Sequence, residues 1–325
     1  VILAIDVGGT KMAAGLVAPD GAVITSRRAA TPQNADAETL WHTLTTLIDP
    51  LSARAEGVGV GCGGPMTWPD GEVSPLNIPG WRGFPLRARL AGRFPGLPVR
   101  LHNDAICLAI AEHWQGAGQG SADMLGMVVS TGVGGGLILG GRLVNGGTGN
   151  AGHIGHVVVE PDGGPRCGCG GHGCLEAIAR GPALTTWALT QGWTPAAVSE
   201  PVKASDGGEA YLEDRAVTGR ALAADALAGD PVAVLAMRRA GRALGIAIAS
   251  ATHLCDLDLV TIGGGLSQAG EPLFGPLEEA LRNHARMGFA RRLKVVPAAL
   301  GQEAGLVGAA ALLLAGDAYW PSTRD

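Results

Sequence analysis

The sequence predicts an α/β protein made of two similar halves with a cleft between them. Short apolar segments of strand-like texture alternate with helical ones along the chain. A unit of strand, glycine-rich turn and strand occurs twice, at residues 2–17 and again at 124–139. A third glycine cluster, Gly263-Gly264-Gly265, ends another apolar strand. Composition agrees with a folded chain: 46% of the 325 residues are hydrophobic and 16% are charged, enough to bury a sizeable core and too apolar for intrinsic disorder. Glycine is the unusual residue. It fills 53 positions, more than double an average usage of about 7%, without a Gly-X-Y period, so it must collect where the backbone needs it.

Taken in order, residues 2–7 run apolar into Gly8-Gly9-Thr10-Lys11, and a second apolar run over 12–17 completes a hairpin. An alternating segment starts at Ala22, a helix is expected over 37–52, and a short strand over 57–62. Residues 63–85 are rich in proline and glycine and lack helical period. A loop that long inside a compact domain is expected to be functional. A short helix over 85–94, a strand ending in His102-Asn103-Asp104 and an apolar helix over 105–115 follow. The second unit places a strand at 124–129, a turn at 130–136 and a strand at 137–139. Residues 180–230 are helical in texture, and 231–255 form one long helix whose alanines and glycines permit close packing. A strand over 257–262, a helix over 272–287, a strand over 293–296 and a C-terminal helix over 303–314 complete the order.

Seven Trp, four Phe and two Tyr, with a net charge of −5, argue against a nucleic-acid platform, which needs stacking rings and basic charge. No apolar stretch reaches the roughly 18–20 residues of a bilayer span. Residues 1–5 lead straight into Asp6 with no basic stretch or cleavage site, so a strand is expected there and not a signal peptide. Trp68 and Trp81 are expected to pin the long loop, and the basic run 286–294 to be solvated. Of six cysteines, Cys167, Cys169 and Cys174 crowd into one glycine-rich loop, which favours a metal site in a reducing cytoplasm over a disulfide framework.

The glycine turns carry the first chemistry. In Asp6-Val7-Gly8-Gly9-Thr10-Lys11, backbone amides freed by glycine can face an anion while Asp6 holds a metal through water. Alone, this is equally an ordinary hairpin turn. Three such turns after apolar strands fit a nucleotide gripped at its phosphates from two sides and at its adenosine from a third. Three thiolates and one imidazole close a four-coordinate zinc site of structural type, with the imidazole open among His153, His156 and His172. Asp104, between a strand and a helix, suits either a helix N-cap or a general base.

Together, Asp6 to Lys11, Ser130 to Gly136, His156 and the run Cys167-Gly168-Cys169-Gly170-Gly171-His172-Gly173-Cys174-Leu175-Glu176 resemble the ROK family of sugar kinases and sugar-responsive repressors, over essentially the whole chain. The resemblance implies a two-domain actin-like ATPase fold of ribonuclease-H-like topology. Residues 1–115 would form a small N-terminal α/β domain, completed by the C-terminal helix 303–325, and residues 116–302 a larger α/β domain bearing the zinc loop. It also implies ATP with Mg2+ in the cleft, a structural Zn2+ and a homodimer. Asp6, Gly8, Gly9, Thr10, Lys11, Thr131 and Gly132 would serve the phosphates, and Gly264 the adenosine end.

His102-Asn103-Asp104-Ala105 matches the family's Glu-Asn-Asp-Ala, in which the Asp accepts the sugar hydroxyl proton and the Asn binds the sugar. Gly64, Asn77 and Glu176 match further sugar contacts, and family matching selects His156 as the fourth zinc ligand, so that zinc fixes the loop delivering His156 and Glu176. One position departs. His153-Ile154-Gly155-His156 stands where most members have Glu-x-Gly-His, exchanging a two-oxygen acceptor for a ring with one donor and one acceptor. The family's bacterial N-acetylmannosamine kinases share that pattern, so His153 bears on which sugar is taken, glucose or N-acetylmannosamine. The expected activity is ATP-dependent phosphorylation of the 6-hydroxyl of a hexose or N-acetylhexosamine, with Asp104 as base. The competing readings are a sugar-sensing regulator, whose helix-turn-helix has no room ahead of Asp6, and a sugar-binding protein without catalysis. Closure of the two domains on the sugar is expected to exclude water.

Overall fold

In the computed structural model, which describes residues 1–195 and 217–320, β1 (Ile2–Val7) turns into β2 (Lys11–Val17), and β3 (Val23–Ala30) adds a further antiparallel strand. After α1 (Ala37–Ile48), β4 (Gly57–Cys62) joins β1 in parallel. The small hairpin β5 (Met66–Thr67) and β6 (Glu72–Val73) and the helix α2 (Leu86–Arg93) precede β7 (Val99–Asn103), which is parallel to β4. The order across this sheet is β3-β2-β1-β4-β7. β4 is buried along its whole length and β1 nearly so, as expected for strands covered on both faces.

Helix α3 (Asp104–Gln115) leads to β8 (Met124–Val129), β9 (Val133–Leu139) and β10 (Arg142–Leu143). Then come α4 (Leu175–Ala179), α5 (Gly181–Thr190), α6 (Gly219–Leu227), α7 (Pro231–Cys255), β11 (Leu259–Gly263), α8 (Glu271–His284), β12 (Lys294–Pro297), α9 (Ala304–Leu314) and α10 (Gly316–Tyr319). The second sheet runs β10-β9-β8-β11-β12, with two antiparallel pairs followed by two parallel pairs. That is the pattern of the first sheet, position for position. The repeated strand-turn-strand unit of the sequence is therefore the start of a repeated sheet.

The helix leaving each sheet covers the other one. α3 packs on β8 and β9, α9 packs on β1 and β4, and the two helices pack against each other between the sheets. Glycine permits this. A Cβ at Gly126 would lie 2.5 Å from Ala109, one at Gly136 2.8 Å from the same side chain, and one at Gly308 would overlap the Cys107 carbonyl. Gly134 and Gly136 consequently belong to β9, and the turn read over 130–136 shrinks to residues 130–132. The glycines there serve packing and not turning. The same logic holds α7 on α8, where Cβ atoms at Gly241 and Gly245 would each come within 2.5 Å of backbone oxygens of α8, as its composition suggested.

Other boundaries shift for local reasons. The helix read over 37–52 ends at Ile48 and tightens into a 3-10 turn over Asp49–Arg54, where Pro50 lacks an N–H to donate. The helix read over 272–287 ends at His284. Trp81 is fully buried and stacks on Phe84, and Trp68 lies against His102 and Trp320, so both do pin the loop. The basic run is solvated as expected, with Arg286, Arg291, Arg292 and Lys294 exposed and Arg292 pairing at the surface with Asp256 (3.0 Å) and Asp258 (2.7 Å). Residues 196–216 of the helical region and 321–325 of the C-terminal segment lie outside the described residues. Among the described residues no helix is long and apolar enough to cross a membrane.

Candidate active site

A cavity of about 610 Å3 lies between the sheets, and the residues singled out for phosphate and sugar all line it. Asp6, Gly8, Gly9, Thr10 and Lys11 come from the β1–β2 turn, Thr131 and Gly132 from the β8–β9 turn, and Gly264 from the end of β11. Gly64 and Asn77 come from the long loop, Asn103 and Asp104 from the β7–α3 junction, His153 and His156 from the segment after β10, and Glu176 from α4.

The turns offer free amides. The Gly8 N–H closes the hairpin on the Lys11 carbonyl (3.0 Å), and the Gly8 and Gly9 carbonyls accept from Thr31 (2.7 Å) and Gln33 (2.9 Å). Among the described residues the N–H groups of Gly9 and Thr10, and those of Thr131 and Gly132, have no partner. Opposed pairs of such donors suit an anion. Gly9 must be glycine because a Cβ there would lie 2.6 Å from the Asn77 Cβ.

At the β7–α3 junction the local ambiguity over Asp104 disappears. Asn103 is the N-cap: its Oδ1 accepts from Ala105 (3.0 Å) and Ile106 (3.4 Å). That leaves Asn103 Nδ2 as a free donor beside Gly64 and His153 Nε2. Asp104 occupies the first helical position and uses Oδ1 on the Ala105 N–H (2.8 Å), with Oδ2 toward Gly63. Burial pushes its carboxyl above the usual range. Asp6, from the neighbouring half of the same cavity wall, is pushed up to about 7, first by burial and then by the negative charge of Asp104, with Lys11 and Arg28 pulling the other way. A buried carboxylate raised further by the negative charge of a second one marks a place where positive charge is missing, and a divalent cation would fit there.

His153 donates its Nδ1–H to the Asn150 carbonyl (2.9 Å), so Nε2 is an acceptor facing the cavity, and burial pushes its pKa down and keeps the ring neutral. Glu176 uses one oxygen on the Val133 N–H (2.9 Å) and keeps the other for the cavity. His156 stacks on His153 and turns Nδ1 toward the Cys167 thiol at 3.6 Å, while Cys169 and Cys174 lie 3.8 Å apart. The four donor atoms of His156, Cys167, Cys169 and Cys174 fall within 4.8 Å of one another. A tetrahedron with Zn–S near 2.3 Å and Zn–N near 2.0–2.1 Å has edges of about 3.8 Å (S···S) and about 3.6 Å (N···S), so the set fits zinc. Neither His153, committed to Asn150, nor the exposed His172 belongs to it.

The ROK family's sequence profile matches residues 2–315. The chain belongs to the ROK family. A glucokinase of Thermotoga maritima is 34% identical over 316 residues, covering 96% of each chain. An N-acetylmannosamine kinase of Shigella flexneri is 36% identical over 314 residues, 96% of this chain and 97% of that one. A ROK family glucokinase from Streptomyces griseus, solved with glucose and AMPPNP, aligns with a TM-score of 0.80 at 35% identity over 96% of this chain and 98% of that one. The fold is thus the actin-like ATPase fold of the ROK sugar kinases.

Three features at or around the cavity of this ROK chain were not read from the sequence. Glu112 is almost wholly buried, lines the cavity, and accepts from the N–H groups of Ala117, Ala299 and Leu300, each at 2.9 Å. It thereby fastens the 298–301 wall to α3. A lone carboxylate on the apolar helix 105–115 was the available signal. The other two are His102 with Asn145 (2.8 Å) and Asn150 with Met66, contacts that no local pattern announces.

Proposed function

We propose that this chain is an ATP-dependent kinase that transfers a phosphoryl group to the 6-hydroxyl of a hexose or N-acetylhexosamine. The observation that carries the reading is the meeting, in one cavity, of free turn amides from both sheets with a polyol-binding set and two mutually repelling carboxylates. The amides at 9–10 and 131–132 and Lys11 take the phosphates, and Gly264 borders the adenosine. Mg2+, when bound through Asp6, neutralises phosphate charge. Asp104 accepts the proton of the sugar hydroxyl. Asn103 Nδ2 donates to the sugar, while His153 Nε2 and the free oxygen of Glu176 accept from it, so each buried hydroxyl has a partner. Gly64 and Asn77 complete that wall. Zinc held by His156, Cys167, Cys169 and Cys174 keeps the loop that carries Glu176 in register with His153.

The division into residues 1–115 with the C-terminal helix and residues 116–302 is part of this reading, supported by the packing of α9 on β1 and β4. So are a cytoplasmic setting, consistent with six unpaired cysteines, and a homodimer.

The test is ADP release with glucose, mannose, N-acetylglucosamine and N-acetylmannosamine. Turnover with at least one sugar is expected. No turnover with any of them overturns the kinase reading and leaves a sugar-binding protein or regulator. The choice between glucose and N-acetylmannosamine falls to His153: in His153→Glu the ratio of kcat/KM for the two sugars is expected to move by roughly tenfold or more. An unchanged ratio makes His153 incidental to sugar choice.

A further inference from the structure

The sugar end of the cavity draws on both sheets, with Asn103 and Asp104 at the end of β7 and His153 on the segment after β10. A buried histidine outside the cavity joins them. His102 has no exposed surface. Its Nδ1 accepts from the Asn103 N–H at 2.9 Å, so the ring proton sits on Nε2, which donates to Asn145 Oδ1 at 2.8 Å. Trp68 stacks on the ring and Trp320 meets it edge-on, with centroids 6.1 and 6.4 Å away. Burial pushes its pKa down to about 4, so the ring stays neutral with its single donor and single acceptor both engaged.

A second bridge lies five residues on. Asn150 Oδ1 accepts from the Met66 N–H (3.5 Å) and its Nδ2 donates to the Met66 carbonyl (3.1 Å), while its own carbonyl holds His153 (2.9 Å). The segment carrying His153 is thus tied to the first half at both ends, once to the strand that delivers Asn103 and once to the long loop.

We infer that His102 is a positioning residue: through Asn145 it latches the 144–153 segment to the strand end bearing Asn103 and Asp104, preassembling the donor and acceptor that meet the sugar. The inference rests on the sugar-site reading of the cavity. Its physical content is that ordering paid in the free protein is not paid on binding. Breaking the latch should therefore weaken sugar and leave nucleotide alone.

Four variants separate the bonds. Asn145→Ala leaves the buried Nε2–H without an acceptor, and Asn145→Asp keeps one. His102→Asn retains an acceptor for the Asn103 N–H but cannot reach Asn145, whereas His102→Gln retains the reach. Sugar Kd, measured by calorimetry with glucose and N-acetylmannosamine in the absence of nucleotide, is expected to rise about tenfold in Asn145→Ala, where the His102 donor loses its acceptor, and in His102→Asn, where the Asn145 acceptor loses its donor. It is expected to stay within about threefold in Asn145→Asp and to rise less in His102→Gln, which keeps the reach to Asn145 but leaves the Asn103 N–H unpaired, than in His102→Asn, with KM for ATP unchanged in all four. An unchanged sugar Kd in Asn145→Ala overturns the inference. So does equal weakening in Asn145→Asp, or a parallel rise in KM for ATP, which would mark general loosening. Should His102→Asn fail to fold, the Asn145 pair decides, since Asn145 is a half-buried loop residue. A wild-type protein that binds sugar without turnover refutes the kinase reading while the variants still test the latch. One that binds neither sugar overturns both.

Discussion

Replacing Asp6 by Asn is expected to stabilise the nucleotide-free protein at neutral and alkaline pH while abolishing turnover. Asp6 sits at the end of β1 facing the cavity, and burial with the nearby Asp104 charge lifts its pKa from 3.8 to about 7. The folded state then holds this proton more tightly than the unfolded chain does. The stability that comes with it is complete below about pH 4 and is lost as pH rises through about 7, after which the loss is constant. Three units at about 1.36 kcal/mol each make roughly 4 kcal/mol at full value. Water in the cavity softens both the burial and the repulsion and reduces this to the order of 2 kcal/mol. An Asn at position 6 has the shape of the protonated acid and loses nothing with pH. Calorimetric Tm values in magnesium-free buffer from pH 4 to 8.5 should therefore coincide near pH 4 and diverge by about 3–6 °C above pH 7, with Asp6→Asn the more stable. Magnesium with ATP should raise the Tm of the wild type and not of the variant. Parallel loss of stability in the two proteins between pH 4 and 7, or a less stable variant at pH 8, would refute the electrostatic account of this carboxylate pair.

Asp104→Asn is expected to lower kcat by about 10²–10⁴ while sugar Kd stays within a few-fold, and near-normal turnover would remove Asp104 as the base. Because its pKa is raised, the acid limb of the wild-type kcat/KM profile should lie above the ordinary carboxylate range. Zinc analysis should find one ion per chain in the wild type and in His172→Ala, and substoichiometric zinc with a raised sugar KM in His156→Ala. Full zinc in His156→Ala would sink the ligand set. Glu112→Ala orphans three backbone N–H groups, each worth about 1–3 kcal/mol when buried. Since Glu112 fastens the 298–301 wall, which follows β12 beside the β11 end that bears Gly264, KM for ATP is expected to rise at least about tenfold with sugar Kd unchanged, and an unchanged KM for ATP would show that this wall does not bear on nucleotide.

Most of the fold can be read from the sequence because both sheets are announced by local features: an apolar run, a glycine turn, a second apolar run. The cysteine loop is equally local, and His156, which joins it in a group that could hold a metal ion, lies only 11 residues before Cys167. Where the sequence reading erred, glycine was ambiguous. Gly134 and Gly136 look like turn residues, yet they lie in a strand because Ala105, Ile106 and Ala109 of α3 need the space that a Cβ would fill. Asp104 was ambiguous in another way. Its neighbour Asn103 takes the capping role, which frees Asp104 for the cavity, and two adjacent residues that can both cap a helix do not announce which one will.

The chemistry available to this protein is written in its order of residues: the ROK pattern, the turn amides, the carboxylates, the thiols and the succession of strands and helices. These depend on side-chain identity and on periodicities of a few residues. How that chemistry is set depends on packing between distant parts of the chain. His102 meets Asn145 across 43 positions, and Glu112 meets Leu300 across 188. The Asp104 charge bears on Asp6 only because β1 and β7 flank β4 in one sheet. Protonation, tautomer and free valence follow from the partner a group finds, and partners this far apart in sequence are chosen by packing.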